Sequence, residues 1–324
     1  MTAPAPGTSP CRGSPWRVSA PSRHIVVVGA GDDCSAGALE HFGVLASHSF
    51  PPRWGFRAKL IRAPLESPWR RIRVGLLRIY LTGRVMIEAS DEILESSAFP
   101  GRQGRLMFVY LAMAPRRVER AQLASLIWPD TLPEAWEVSL SAIISKLRKM
   151  LARAGIDGSA SLQSVYGCYE LRLPEGTWID VREAINALDR AEGFLMRDDA
   201  RSAWADAVVA SSILSRRFLP GESGQWVEQK RLELHEFEVR ACDTLSATWL
   251  QVGNLGAAQQ AARQAVDLAP FRESGYARLM ECHLAAGNRA EAVRVYNEAS
   301  SLLRESMGIS PTPEMEDLYL RALG

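Results

Sequence analysis

Between Thr131 and Gly155 the apolar residues recur with helical spacing. Leu140, Ile144, Leu147 and Leu151 stand at i, i+4, i+7 and i+11, with Lys146, Lys149 and Arg153 off that stripe. The pattern predicts one amphipathic helix with a face to bury and a face that stays wet. Thr131 and Glu134 have capping-box spacing and Pro133 falls in the first turn, where a missing N–H costs nothing, so the helix is expected to open at Thr131. Directly after it, Leu162 to Leu173 alternates and turns at Gly167, as a two-stranded hairpin does. Upstream, Arg102 to Met113 places Leu106, Val109, Tyr110 and Met113 on one side of a helix that Pro115 closes, and a second helix, Arg120 to Trp128, stops at Pro129. Before these, residues 76–96 read as short strands turned at Thr82-Gly83 and near Ser90-Asp91.

A helix that ends in a basic cluster and runs into a small hairpin is the arrangement by which a winged helix meets DNA. After Pro174 the pattern changes to alanine-rich helices with an internal repeat. Gly253-Asn254 returns as Gly287-Asn288, and Ala258, Ala265 and Leu268 return as Ala292, Ala299 and Leu302, all at an offset of 34. That is the tetratricopeptide period, in which small residues let paired helices approach closely. A weaker third copy starts at Asp198-Asp199, with Ala203, Ala207 and Ala210 behind it, and Phe218 to Trp226 is inserted before the later copies.

Composition adds three things. The 324 residues, 47% hydrophobic and 23% charged, suit an ordinary globular protein of two or three domains. The net charge of +1 hides an imbalance, since residues 1–73, 74–173 and 174–324 carry +6, +2 and −7. A basic middle beside an acidic C-terminal part fits a nucleic-acid module joined to one that does not touch nucleic acid. The five cysteines, Cys11, Cys34, Cys168, Cys242 and Cys282, are odd in number, scattered and without a CxxC pair, which favours free thiols. With no apolar run of membrane-spanning length and no signal-peptide pattern, the expected location is cytoplasmic, with no membrane partner.

Residues 1–73 hold nine of the eighteen prolines and no sustained period, so a low-order Pro/Arg-rich extension is expected there. Within it, His24-Ile25-Val26-Val27-Val28-Gly29-Ala30-Gly31 enters a G-x-G, but Cys34 stands where a dinucleotide fingerprint needs its third glycine, and prolines follow. An enzyme is not expected either. His235 and His283 are the histidines of the later two-thirds, 48 residues apart, and neither has the partners of a triad or a metal site. No cofactor or metal is called for.

The strings Pro100-Gly101-Arg102-Gln103-Gly104-Arg105-Leu106, LASLIWP at 123–129 and VYGCYELRLP at 165–174 resemble the OmpR/PhoB-type winged-helix domain. Phe218-Leu219-Pro220-Gly221-Glu222 with Trp226, then the stretch 268–319, resemble the bacterial transcriptional activator domain. Together, from Val74 to Gly324, they are similar to the Streptomyces antibiotic regulatory protein family. The resemblance implies an α+β winged helix-turn-helix at 74–173 and an all-α, TPR-like domain at 174–324. It further implies a transcriptional activator that binds repeats upstream of promoters, with double-stranded DNA as partner, RNA polymerase as a second candidate, and the helical domain as a surface for dimerisation or for the transcription machinery. Val74 is where such proteins commonly begin, which would make the upstream segment dispensable.

The expected DNA contacts follow from both readings. Lys146, Arg148, Lys149 and Arg153 are assigned to phosphates, with Lys146 nearest the readout face. Opposite the apolar stripe that face is read as Trp136, Ser139, Ala142, Ile143 and Lys146, with Ser139 and Ser145 as donors and Ile143 able to touch only a thymine methyl. Arg102, Arg105, Arg116 and Arg117 are further phosphate candidates, and Tyr166 and Tyr169 stand on the wing. Two features depart from the family. The face lacks the Arg, His, Asn or Gln that relatives offer to base edges, and Glu170 replaces a wing arginine. The competing reading is therefore a helical-repeat adaptor whose degenerate winged helix docks protein in place of DNA.

Overall fold

The structure, a computed structural model, describes residues 77–89, 92–114 and 116–324. The proposed extension, the G-x-G run, the start at Val74, the turn at Ser90-Asp91 and the role of Pro115 fall outside these residues.

The chain opens with strands β1 (Arg78–Tyr80), β2 (Met86–Ala89) and β3 (Glu92–Leu94), paired antiparallel with Ile79 opposite Ile87 and Ile87 opposite Leu94. Alternation sorts their faces: Leu77, Ile79, Leu81, Val85 and Ile87 are buried, while Tyr80 and Glu88 point outward and share a 3.0 Å hydrogen bond. Helices α1 (Gly101–Met113) and α2 (Arg120–Ile127) follow, separated by the two-residue strand β4 (Val118–Glu119).

Helix α3 spans Trp136–Arg153. It begins later than the capping-box spacing predicts, because Pro133 instead closes a turn in which its carbonyl accepts from Trp136 N at 3.1 Å. That turn swings Trp136 against the core as the helix starts. A single-turn helix that the pattern did not announce, α4 (Gly158–Ser161), is capped by the Asp157 carboxylate, which accepts from Ser159 N and Ala160 N. It crosses α3 so closely that a Cβ on Gly158 would lie 2.1 Å from the Arg148 carbonyl oxygen. Strands β5 (Leu162–Val165) and β6 (Cys168–Leu171) form the hairpin, and β4 joins it in the order β4-β6-β5. Its two-residue turn, Tyr166-Gly167, holds both residues at positive φ (49° and 77°), the turn whose twist suits tight hairpins.

At Pro174, Glu175 and Gly176 the chain is exposed, and it then rejoins the first sheet. Strand β7 (Trp178–Ile179) pairs parallel with β1 and completes the sheet order β3-β2-β1-β7. Seven helices follow: α5 (Asp180–Leu195), α6 (Ala200–Leu214), α7 (Gln225–Gln251), α8 (Leu255–Leu268), α9 (Glu273–Ala285), α10 (Arg289–Met307) and α11 (Pro313–Leu323). The chain is thus predominantly helical. Helices α5 with α6, α7 with α8 and α9 with α10 form packed pairs, and the repeated alanines are their contact points: Ala203, Ala207, Ala258, Ala265, Ala292 and Ala299 are all buried. Gly253 and Gly287, the repeated glycines, adopt φ of 82° and 73° at the ends of α7 and α9, where a left-handed residue lets the next helix fold back.

One hydrophobic core runs from Leu77 to Ala241 and contains α1, α3, the hairpin and the first helices of the array. A second, from Ala258 to Ala322, fills α8 to α11.

The two glycine environments give paired expectations. Gly158→Ala must push α4 off α3 and should lower stability by about 1–3 kcal/mol in urea denaturation. Gly256→Ala, in α8 with nothing within 4 Å of the added carbon, should be neutral or raise stability by up to about 1 kcal/mol.

Candidate nucleic-acid interface

Helix α3 packs through more of its circumference than its four-residue stripe suggests. Leu140, Ile144, Leu147 and Leu151 are buried, and so are Ile143 and Met150. At 100° per residue this widens the buried side and turns the wet face about a quarter turn from the one read in the sequence. Ile143, assigned there to thymine contact, is 8% exposed and belongs to the core. Trp136 is half-buried against that core and Ser139 is half-buried beside it. The residues that do face solvent are Val138, Ser141, Ala142, Ser145, Lys149 and Ala152, flanked by Lys146.

The basic residues divide by what they touch. Among the described residues Lys146 and Lys149 have no carboxylate within ion-pair distance, and Arg116 is exposed and equally unpaired. Arg148 is half-buried and donates from Nε to the Leu162 carbonyl at 2.9 Å, fastening α3 to the start of the hairpin. Arg153 lies 3.9 Å from Glu92 with both side chains largely in solvent, a contact of little energy.

Arg102 and Arg105, proposed above for phosphate contact, are engaged elsewhere. Arg102 Nε donates to Glu222 Oε2 at 2.8 Å and its Nη2 reaches the Ser223 carbonyl at 3.0 Å, while Arg105 grips Glu222 Oε1. The Glu222 side chain is 0% exposed. Burial without partners would be costly for a carboxylate, so two guanidiniums from α1 converge on it.

The hairpin shows a similar substitution of roles. Arg117 and Arg172 both donate to Glu170, at 2.9 and 3.0 Å, and hold its carboxyl below the usual range, the Arg172 bond contributing most. The carboxylate expected to repel phosphate is thereby neutralised, and Arg117 is spent on it. Tyr169 is buried, with the Arg120 guanidinium 5.5 Å above its ring. Tyr166, at the tip, is 96% exposed.

Sequence reasoning missed three residues that hold this region together. Arg120 donates to Ser164 on β5 at 3.2 Å and bridges α2 to the hairpin. Glu222 lies in the insertion between repeats, quoted above for its family resemblance but given no role. Asp180 opens α5 and is buried: its Oδ2 accepts from Leu81 N, Thr82 N and Thr82 Oγ1 at 2.8–2.9 Å, and its Oδ1 accepts from Val181 N at 2.7 Å. Burial pushes its carboxyl up, against the pull of those donors. The insertion itself is a strap. Leu219 N donates to Leu81 O, Gly83 N donates to Arg217 O, and Arg231 from α7 donates to the carbonyls of Phe218, Leu219 and Glu222. Trp226 then stacks on Tyr110 of α1 with ring centroids 4.9 Å apart. The arrangement presents α3 and the hairpin tip on a scaffold braced from behind. Among the described residues no cluster of side chains could hold a metal ion, and no helix is long and apolar enough to cross a membrane.

Residues 179–323 match the bacterial transcriptional activator domain. Regulatory protein AfsR of Streptomyces griseus is 24% identical over 250 residues, which cover 76% of this chain. The chain thus carries a bacterial transcriptional activator domain and is similar to regulators of the Streptomyces antibiotic regulatory protein type. It spans only 24% of that AfsR. Another relative, transcriptional regulatory protein MoaR1 of Mycobacterium tuberculosis, is 23% identical over 68% of the chain and 71% of its own length. The structure of Mycobacterium tuberculosis EmbR, solved in complex with a low affinity phosphopeptide, superposes with a TM-score of 0.70 at 21% identity. The superposition covers 77% of this chain and 65% of EmbR, and shows a shared fold.

Glu222→Ala should cost about 2–3 kcal/mol, because it strips two charge-assisted bonds and leaves Arg105 partly buried without a partner. Arg102→Ala, with its side chain 58% exposed, should cost under about 1 kcal/mol. Denaturant midpoints of the two variants give the comparison.

Proposed function

We propose that this chain is a DNA-binding transcriptional regulator of the Streptomyces antibiotic regulatory protein type, in which 74–173 is an OmpR/PhoB-type winged helix with α3 as its recognition helix and the β5-β6 hairpin as its wing. The observation that carries this reading is the wet face of α3: Lys146 and Lys149 stand exposed and without carboxylate partners, beside a hairpin whose own acid is neutralised. Cations with no internal use, on a helix braced from behind by Glu222 and Asp180, are available to displace counterions from phosphates. Arg116 and Tyr166 are exposed and join them as proposed phosphate contacts; Ser145 is the proposed donor on the face, and Arg148 a positioning residue. The helical domain, 174–324, serves dimerisation or contact with RNA polymerase, and the protein acts as an activator at promoter repeats in the cytoplasm. The named relatives, all regulatory proteins, support the regulator assignment. No catalytic chemistry is proposed.

The second reading, an adaptor that docks protein, is favoured by one feature, the apolar exposure of Leu132 and Val138 at the approach to α3. Salt separates the two. Phosphate contacts make log K fall linearly with log salt by about 0.9 per neutralised phosphate, whereas an adaptor gives no footprint and little slope. Under the DNA-binding reading, Lys146→Ala and Lys149→Ala should each weaken binding to all duplexes and flatten the slope by about one unit, measured by fluorescence anisotropy at several salt concentrations. Unchanged slopes in both variants would take α3 out of the interface.

A further inference from the structure

Resting on the assignment of α3 as the recognition helix, we propose that this chain selects thymine through its C5-methyl group, using Val138 and Ala142. Three observations lead there. The first is what the wet face contains. Its exposed residues, Glu137, Val138, Ser141, Ala142, Ser145, Lys146, Lys149, Ala152 and Arg153, include no Asn or Gln that could pair bidentately with adenine, and the only arginine lies at the C-terminal end of the helix beside Glu92.

The second observation is position. A recognition helix of the helix-turn-helix class offers its N-terminal residues to base edges. Val138 is in the first turn of α3 and 71% exposed, so its branched apolar side chain is open to a partner. Ala142 is exposed one turn later on the same side, with Ser145 between the apolar pair and the lysines. At 1.5 Å of rise per residue the two apolar groups are about 6 Å apart along the helix. With bases stacked at about 3.4 Å, they reach base pairs one to two steps apart. Among major-groove edges only thymine offers an apolar group, its C5-methyl.

The third observation is the order of charge along the helix. Lys146 and Lys149 lie in the third and fourth turns, toward the end that leaves the groove, where phosphates lie. Glu137, beside Val138, accepts only, and at a base edge it fits a cytosine amino group and nothing on thymine. The residue that sequence periodicity nominated for methyl contact, Ile143, is in the core. The same chemistry therefore passes to different side chains.

The test uses the full chain and duplexes it enriches from a random-sequence pool. In the enriched site each thymine is replaced singly by deoxyuridine, which removes the methyl and nothing else. Two thymines should respond, each with about a fourfold loss of affinity, the worth of one buried methyl. Val138→Ser, which leaves no methyl on the side chain, should abolish one of the two responses. Its side chain is exposed, so folding is not at stake. Ala142→Gln should move the preferred base at the other position from thymine to adenine. Tight, salt-dependent binding with no deoxyuridine response, or responses that persist unchanged in both variants, overturns methyl reading and leaves DNA binding intact. Enrichment of no duplex at low salt overturns both, and so separates the two failures.

Discussion

Two buried carboxylates tie the sheet and α1 to the helical array, and the rest of the arrangement depends on that tie. Asp180, at the first residue of α5, accepts four hydrogen bonds, three of them from Leu81 and Thr82 at the end of β1. Glu222, in the strap before α7, receives Arg102 and Arg105 from α1. Neither carboxylate can be withdrawn without stranding a shielded donor, the Leu81 and Thr82 amides for Asp180 and the largely buried Arg105 for Glu222, so each costs more to break than a surface pair of the same geometry. Because α1 lies against α3, the brace passes to the helix that carries the free lysines.

This changes how the composition reads. The acidic C-terminal part and the basic middle look like separate solvated modules when their charges are added up. In the fold, part of that charge is spent internally: Arg102 and Arg105 on Glu222, Arg117 and Arg172 on Glu170. Among the described residues around α3 what remains uncommitted is a short set, led by Lys146 and Lys149, and the proposed DNA contact rests on this remainder and not on the net charge. Counting arginines by sequence overstates the candidate interface, because the acid an arginine pairs with can lie far along the chain, as Glu222 does from Arg102.

Much of the fold was legible in advance because it rests on short-range pattern. The order of strands, three helices and hairpin, the turn at Gly167 and the 34-residue spacing of small residues all follow from the periodicity of burial and from backbone preferences local to a few residues. The helix start at Trp136 was misplaced because a capping-box spacing reports only a local option, and the packing of Trp136 overrode it. The wet face of α3 was misjudged by about a quarter turn for a related reason. Four leucine-class positions define a stripe, but its width depends on how many neighbours close over the helix, and here they also cover Ile143 and Met150.

By itself, then, the chain determined its elements and their repeat, since a residue's preference for helix, strand or turn and the spacing of its apolar neighbours are properties of contiguous sequence. Only the tertiary structure decided which charges are free, which face of α3 is open, and that the segment from Phe218 to Trp226 is a strap and not a gap. Those outcomes come from contacts between residues far apart in the chain, such as Arg102 with Glu222, 120 positions apart. The free energy of burying a carboxylate exists only once the chain has brought its donors to it.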